Sequence, residues 1–500
     1  MLTLSGQPLK LEQICDVAIR GEKVCLGEDA QARVRSSRGV VEAIIERGET
    51  VYGVNTGFGK LSEVTIPISE LGRLQLNLVR SHACGVGTPL SIPETRALML
   101  LRANVLAAGF SGARLHVLEC LLDMLNQGVH PVVPEQGSVG ASGDLAPLAH
   151  LALGVIGEGE CHFRGERIPT AKALATCGIQ SITLAAKEGL ALLNGTQAIG
   201  ATGSLALSRV LSLIEVADLA GAMSLEALLG TPVAFDPQIQ DARPHPGQLE
   251  AAANLRRLLE GSEIRDSHLV GDPRVQDAYS LRCMPQVHGA VRGAMRHVQE
   301  VLFIESGSGT DNPLVFSETG DVLSGGNFHG APLAMALDYA AIAVTELANI
   351  SERRIERLIN PDINEHLPPF LTKDPGCSSG FMIPHVTAVA LINECKVLSH
   401  PASVDNLPTS GGKEDHVSMG MTAALKLRRI VDNVERVLAI ELLAAAEGLE
   451  YRRPLKAGKG VEQGYQVLRK IAAPVLADRA LTDDIENVAQ AVREGAFKPL

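Results

Sequence analysis

The stretch from Pro332 to Asn360 has no glycine and no proline after its first residue, and Pro361 closes it. Proline fits the first turn of a helix and stops one that it would have to enter, so both ends of a helix are marked. At about 1.5 Å per residue it spans roughly 40 Å, the length of a bundle spine. A second long helix is expected from about Asp415 to Glu447. There Leu427, Val431, Val434, Leu438 and Leu442 recur at core-face spacing, and Gly448 supplies the stop. Apolar–polar alternation is nowhere sustained and no strand–helix–strand series occurs. The chain therefore reads as all-α, a long-helix bundle core with a loop-rich N-terminal domain.

Shorter elements fall between these landmarks. Ser91-Ile92-Pro93-Glu94 forms a capping box for a helix with Leu98, Leu101, Val105 and Leu106 inward, stopped at Gly109. A small hairpin is expected around Gly157 to Pro169, and an Ala/Leu-rich helix runs to about residue 227. Another helix runs to Glu305, and a last one, capped by Thr482, to about Gly495; residues 361–414, rich in Pro, Gly and Ser, read as a connection. Five hundred residues exceed one ordinary core. The expected division is 1–110 with a tyrosine-bearing loop, 111–225 with a loop of small residues, and 226–500 as the long-helix bundle.

Composition excludes several classes. The net charge of −12 is spread along the chain without a basic cluster, which argues against nucleic acid. The nine cysteines are odd in number, scattered and without C-x-x-C, as expected for reduced thiols in the cytoplasm. No signal peptide and no membrane span are expected. There is no H-E-x-x-H and no strand entering a G-x-G-x-x-G turn, so neither a metal nor a nucleotide is expected. With 46% apolar and only 20% charged residues, the chain suits self-association.

The small-residue loop is Gly137-Ser138-Val139-Gly140-Ala141-Ser142-Gly143-Asp144, followed by a helix-like run from Leu145. Asp144 or Ser142 can cap that helix, whose positive end then adjoins the loop. A hydrolase elbow around Ser142 fails, because Asp144 replaces the final glycine and no strand leads in. A phosphate loop fails for want of Gly-Lys-Ser/Thr. It fails also in the second glycine-punctuated loop, Val51 to Lys60, which presents Tyr52 and Phe58: the spacing before Gly59-Lys60 is wrong, and Leu61 replaces the Ser or Thr. A plain turn before a core helix stays open. Tyr52, His82, Ser142, Asn194, Gln276, Tyr279, Arg282, Phe328 and Glu414 are polar or aromatic groups in such loops between apolar helices, where a site would be built. Nothing in their spacing says whether they meet.

Blocks along nearly the whole chain resemble the histidine and aromatic amino acid ammonia-lyases: YGVNTGFG, LVRSHACGVG, GSVGASGDLAPLAH, LALLNGTQA, QDAYSLRCMPQ, DNPLVF, SGGNFHG, SERRIERL, SGFMI, LSHPASVDNLPTS and EDHVSM. The resemblance implies that Ala141, Ser142 and Gly143 cyclise, crosslinking Ala141 to Gly143, into 4-methylideneimidazole-5-one (MIO), with Asn194 beside it. The Gly143 nitrogen attacks the Ala141 carbonyl, and loss of two waters turns Ser142 into an exocyclic methylene. Such an electrophile answers a chemical need, because an α-amine is a poor leaving group and a β-proton is weakly acidic. By the same resemblance Tyr52, Ser142, Tyr279 and Glu414 are catalytic, with Tyr52 the base. His82, Asn194, Gln276, Arg282, Phe328, Met382 and Glu414 bind substrate.

Ser81-His82, Met382 and Glu414 match the histidine branch. The phenylalanine and tyrosine enzymes usually carry Phe-Leu or His-Leu at the first pair. The implied reaction converts L-histidine to trans-urocanate and ammonia, the first step of histidine degradation, in a cytoplasmic homotetramer. An aminomutase shares the chemistry up to the return of the amine. The fumarase and aspartase class is disfavoured, because Met284-Pro285-Gln286 lacks its preceding Ser-Ser and following Lys-x-Asn.

Overall fold

Helices hold 59% of the chain and strands 8%, and no described strand exceeds four residues, so the all-α reading holds. The computed structural model describes residues 1–57 and 63–497, and Phe58, expected beside Tyr52, lies outside them. Two compact units divide the chain. The first comprises Met1–Ser208, Val298–Asp338 and Pro401–Leu425; the second comprises Arg209–His297, Tyr339–His400 and Lys426–Leu500.

In the first unit the Ile92–Ala107 helix forms the centre. Its capping box is present: the Ser91 N–H donates to Glu94 Oε2 at 2.8 Å, and the Glu94 N–H donates to Ser91 Oγ at 3.4 Å. Every residue from Ala97 to Ala107 is buried, so the helix is enclosed on all sides rather than along one face. The expected hairpin is Glu160–Phe163 paired with Glu166–Pro169. A second one, Leu314–Phe316 with Asp321–Leu323, brings Val315 against Val41, Ile44 and Val54. Burying Val54 in that cluster anchors the turn that carries Tyr52.

The sequence reads as strandless ahead of the small-residue loop, and the structure differs. A strand does enter the small-residue loop: Pro134–Gln136 pairs antiparallel with Val86–Pro89. Three residues are too few to leave a period-2 pattern.

In the second unit, two groups of buried charges are paired and hydrogen-bonded to one another, which is what makes their burial tolerable. Arg354 and Glu441 are both 0% exposed and joined twice, and the hydroxyls of Ser224 and Ser351 donate to Glu441 at 2.8 and 2.6 Å. Asp218 accepts from His288, Arg292 and Asn254 at 2.7 to 2.8 Å.

The long helices are Ala331–Ile359 and Gly420–Glu450. The latter starts later than expected and runs past Gly448, where a Cβ would stand 2.9 Å from Ala227 Cβ; close packing, rather than a stop, explains the glycine. Met382–Leu398, read as connection, is also a helix. Only Pro384, Ala388 and Cys395 are buried on it, while Ile383, Val386 and Val389 are exposed, so its apolar residues gave no inward stripe. The last helix, Thr482–Arg493, is not capped by the Thr482 side chain. Among the described residues, Ala331–Ile359 alone is long and apolar enough to cross a membrane, and 72% of its apolar window is buried in the fold.

Candidate active site

The small-residue loop joins the Pro134–Gln136 strand to the Leu145–Val155 helix, and segments distant in sequence hold both of its limbs. On the entry side, Val139 O accepts from the Met419 N–H at 2.8 Å, and Gly140 O accepts from the Gly330 N–H at 3.1 Å. On the exit side, the Asp144 N–H donates to Gly195 O at 2.6 Å, and Asn194 Nδ2 donates to Ser142 O at 2.8 Å. Gly143 has φ +76°, and a Cβ there would stand 2.2 Å from Gly195 O. Glycine is required at that position by backbone, which cannot rotate away.

Asp144 does not cap its own helix with its side chain. Its carboxylate crosses to the next one, accepting from the Ile199 N–H at 2.8 Å in the first turn of Gln197–Ala227 and from Ser138 Oγ at 2.9 Å. Complete burial pushes this carboxyl up to about 7, against those hydrogen bonds.

The Asn194–Gly195 turn has its own support, which the sequence reading passed over. Arg102, 0% exposed, donates through Nη1 to Asn194 O at 2.8 Å and to Gln197 Oε1 at 2.7 Å, and through Nη2 to Ala191 O. A cation on the last carbonyls of the Glu188–Leu193 helix answers the negative end of its dipole. Burial lowers this guanidinium to about 10. The available signal was a lone arginine in the apolar run Leu98 to Leu106.

Above the loop lies a cavity of about 620 Å³ whose walls include Tyr52, His82, Ser142, Asn194, Phe328 and Glu414, together with Leu190, Leu193 and Asn312. Six of the expected residues are thus brought together, with Ala141 and Gly143 beside Ser142 in the loop. A second cavity of about 560 Å³ shares Tyr52, Ser142, Asn312, Phe328 and Glu414 and adds Lys413, His329 and His416. Asn312, in the DNPLVF block, lines both cavities without being expected there; its Oδ1 accepts from the Gly325 N–H at 2.8 Å.

Ser142 Oγ donates to Glu414 Oε1 at 2.6 Å, and Thr409 Oγ1 donates to Oε2 at 2.7 Å. Burial opposes ionisation of Glu414, yet the hydroxyls of Ser142, Thr409 and Ser410 and the nearby His82 hold its carboxyl below the usual range. His82 ends the Leu71–His82 helix, and its Nδ1–H donates to Leu78 O at 2.8 Å. Burial lowers its pKa, with the Leu78 bond and Glu414 opposing, so the ring is neutral at pH 7 and keeps the Nε2 lone pair. An ionised acceptor and a neutral imidazole therefore share one wall.

Gln276, Tyr279, Arg282 and Met382 belong to the second unit and do not line this cavity. Tyr279 is 72% exposed, with the Arg282 guanidinium 4.5 Å from its ring centroid. Met382 opens the Met382–Leu398 helix. Among the described residues no group of three His, Cys, Asp or Glu is placed to hold a metal ion.

An all-α chain with this loop and cavity has the architecture of solved ammonia-lyases and aminomutases. Histidine ammonia-lyase from Trypanosoma cruzi is similar with a TM-score of 0.92 and 45% identity, over 99% of this chain and 94% of that one. Tyrosine aminomutase from Streptomyces globisporus is similar with a TM-score of 0.94 and 38% identity, over 99% and 97%. In sequence, histidine ammonia-lyase of Myxococcus xanthus is 55% identical over 494 residues, 99% of this chain and 97% of that protein. Residues 9–470 match the family model for aromatic amino acid lyase. The chain belongs to the aromatic amino acid lyase family and is a carbon–nitrogen lyase.

Proposed function

We propose that this enzyme removes ammonia from L-histidine to give trans-urocanate, the first step of histidine degradation, with an MIO group formed from Ala141, Ser142 and Gly143. The observation that carries the reading is Ser142, whose hydroxyl donates to Glu414 at 2.6 Å in a cavity shared with Tyr52, His82 and Asn194. The residues present fit the group: Gly143 has no room for a Cβ, and Asn194, bonded through Nδ2 to Ser142 O, keeps a buried Oδ1 with no partner among the described residues. When formed, MIO supplies an electrophilic carbon that takes the substrate amine and makes it a leaving group.

The remaining work falls to side chains. Tyr52 removes the β-proton; a phenol's ordinary pKa is ~10, so neighbouring donors or cations must favour its ionised form. Glu414, held ionised, accepts an N–H of the substrate imidazole, and His82 shapes the same end of the cavity. Phe328 packs beside it. The N-terminal end of Leu145–Val155 adjoins the loop and favours negative charge developing there.

Gln276, Tyr279, Arg282 and Met382 complete the substrate contacts, with Arg282 on the carboxylate and Tyr279 catalytic. The family works as homotetramers whose sites draw on three subunits, so one subunit's own cavity need not contain them. Self-association is supported by the exposed apolar face of Met382–Leu398, with Ile383 at 59% and Val386 at 55%. All nine cysteines are free, which supports the cytoplasm.

The test incubates purified protein with L-histidine, L-tyrosine or L-phenylalanine and identifies the products. Urocanate and ammonia from histidine are expected, and none from Ser142→Ala. Turnover of tyrosine without histidine would overturn the substrate, and a β-amino acid product would make the enzyme an aminomutase.

A further inference from the structure

The entry limb of the loop is held by a residue outside both cavity linings. Ser418 is 3% exposed. Its hydroxyl donates to Gly140 O at 3.0 Å and accepts from the N–H of Gly420, the first residue of the Gly420–Glu450 helix, at 3.2 Å. Contact is direct: Gly140 has φ +69°, and a Cβ there would stand 2.2 Å from Ser418 Oγ. With the Gly330 N–H on the same oxygen, the Gly140 carbonyl has two donors. The Gly140–Ala141 peptide plane is thereby fixed from outside the loop, while the Asn194–Gly195 turn fixes the far end.

We propose that Ser418 is a positioning residue for ring closure. This rests on the reading that Ala141–Gly143 cyclise. By fixing the Gly140–Ala141 plane, Ser418 sets the direction of the Ala141 carbonyl, the group that the Gly143 nitrogen must reach. In closure a bond forms between Gly143 N and the Ala141 carbonyl carbon. That carbonyl oxygen leaves as water with the amide hydrogens of Gly143 and Ser142, and an Ala141 C=N bond to the Ser142 nitrogen results. Ser142 then loses its hydroxyl and its Cα hydrogen as a second water. No oxidant or reductant is needed. Without the Ser418 hydroxyl the Ala141 carbonyl samples a wider range of directions, and reactive geometry is populated less often.

The experiment follows newly synthesised full-length chain from cell-free translation, measuring by mass spectrometry how fast the peptide carrying residues 141–143 loses two waters. Loss of one buried hydrogen bond predicts closure slowed about three- to tenfold in Ser418→Ala, with native helicity and a chain that stays fully folded under the assay conditions despite a slightly lowered unfolding transition. Ser418→Thr, which keeps the hydroxyl, is expected to restore the rate. Closure at the native rate in Ser418→Ala overturns the proposal, as does a delay that only tracks a smaller folded fraction or persists in Ser418→Thr. If the native chain itself never loses two waters, the ring reading falls and the proposal falls with it.

Discussion

Gly143→Ala tests how strictly the loop geometry depends on a missing Cβ. The left-handed backbone at Gly143 costs a residue with a side chain about 1 kcal/mol. The new Cβ begins 2.2 Å from Gly195 O and has to move beyond 3.0 Å. Neither side yields freely: Gly195 O accepts from the Asp144 N–H at 2.6 Å, and Asn194 O is held by Arg102 at 2.8 Å. Opening the contact breaks the first of these bonds and strands a buried N–H, which costs about 1–3 kcal/mol. The sum, about 2–4 kcal/mol, lowers the population of the native loop by about 30- to 1,000-fold. Because the strain is local, helicity should remain native. Amide exchange at Asp144 and Gly195 should accelerate, and the peptide carrying residues 141–143 should keep its two waters. A variant with native exchange protection and complete two-water loss would refute the steric argument.

Two further outcomes follow from the site. Tyr52→Phe should lower kcat by about 10²–10⁴-fold, the range for a lost general base, with KM for histidine changed little; an unaltered kcat would remove Tyr52 from that role. Asp144, raised from 3.8 to about 7 in the fold, keeps a proton that the unfolded chain releases. Its contribution is therefore present below about pH 4, is lost as pH rises toward about 7, and stays level above. Asp144→Asn removes that dependence, so denaturant unfolding should show native protein losing ground to the variant across that window. A gap that stays constant with pH would contradict the burial argument.

Local patterns carried much of the fold. Pro332 and Pro361 marked a helix found at Ala331–Ile359, and Ser91 with Glu94 marked a cap that forms, because those signals act within a few residues. Met382–Leu398 escaped because its apolar residues face outward, which erases the stripe that periodicity reads. In the site, glycines announced the loops, and the resemblance named Tyr52, His82, Ser142, Asn194, Phe328 and Glu414. Their convergence on one cavity depends on pairings such as Ser142 with Glu414, 272 residues apart, which no spacing encodes. Asp144 misled for the same reason. Its sequence position suits the helix beginning at Leu145, but its carboxylate bonds the Ile199 N–H, 55 residues on. Arg102 was visible only as an oddity, since the carbonyls that give it purpose arrive from another part of the chain.

Gly143 and Gly195 come into register only after segments 52 residues apart, along with Gly330 and Met419, have assembled around one loop. Under the proposed cyclisation, a ring closed there is a stamp that the chain has been native at least once. Being covalent, the stamp outlasts the structure that made it. Denatured enzyme would then hold two chemically distinct populations, and a mass spectrum taken in denaturant would count the molecules that had ever folded, whatever their shape at that moment.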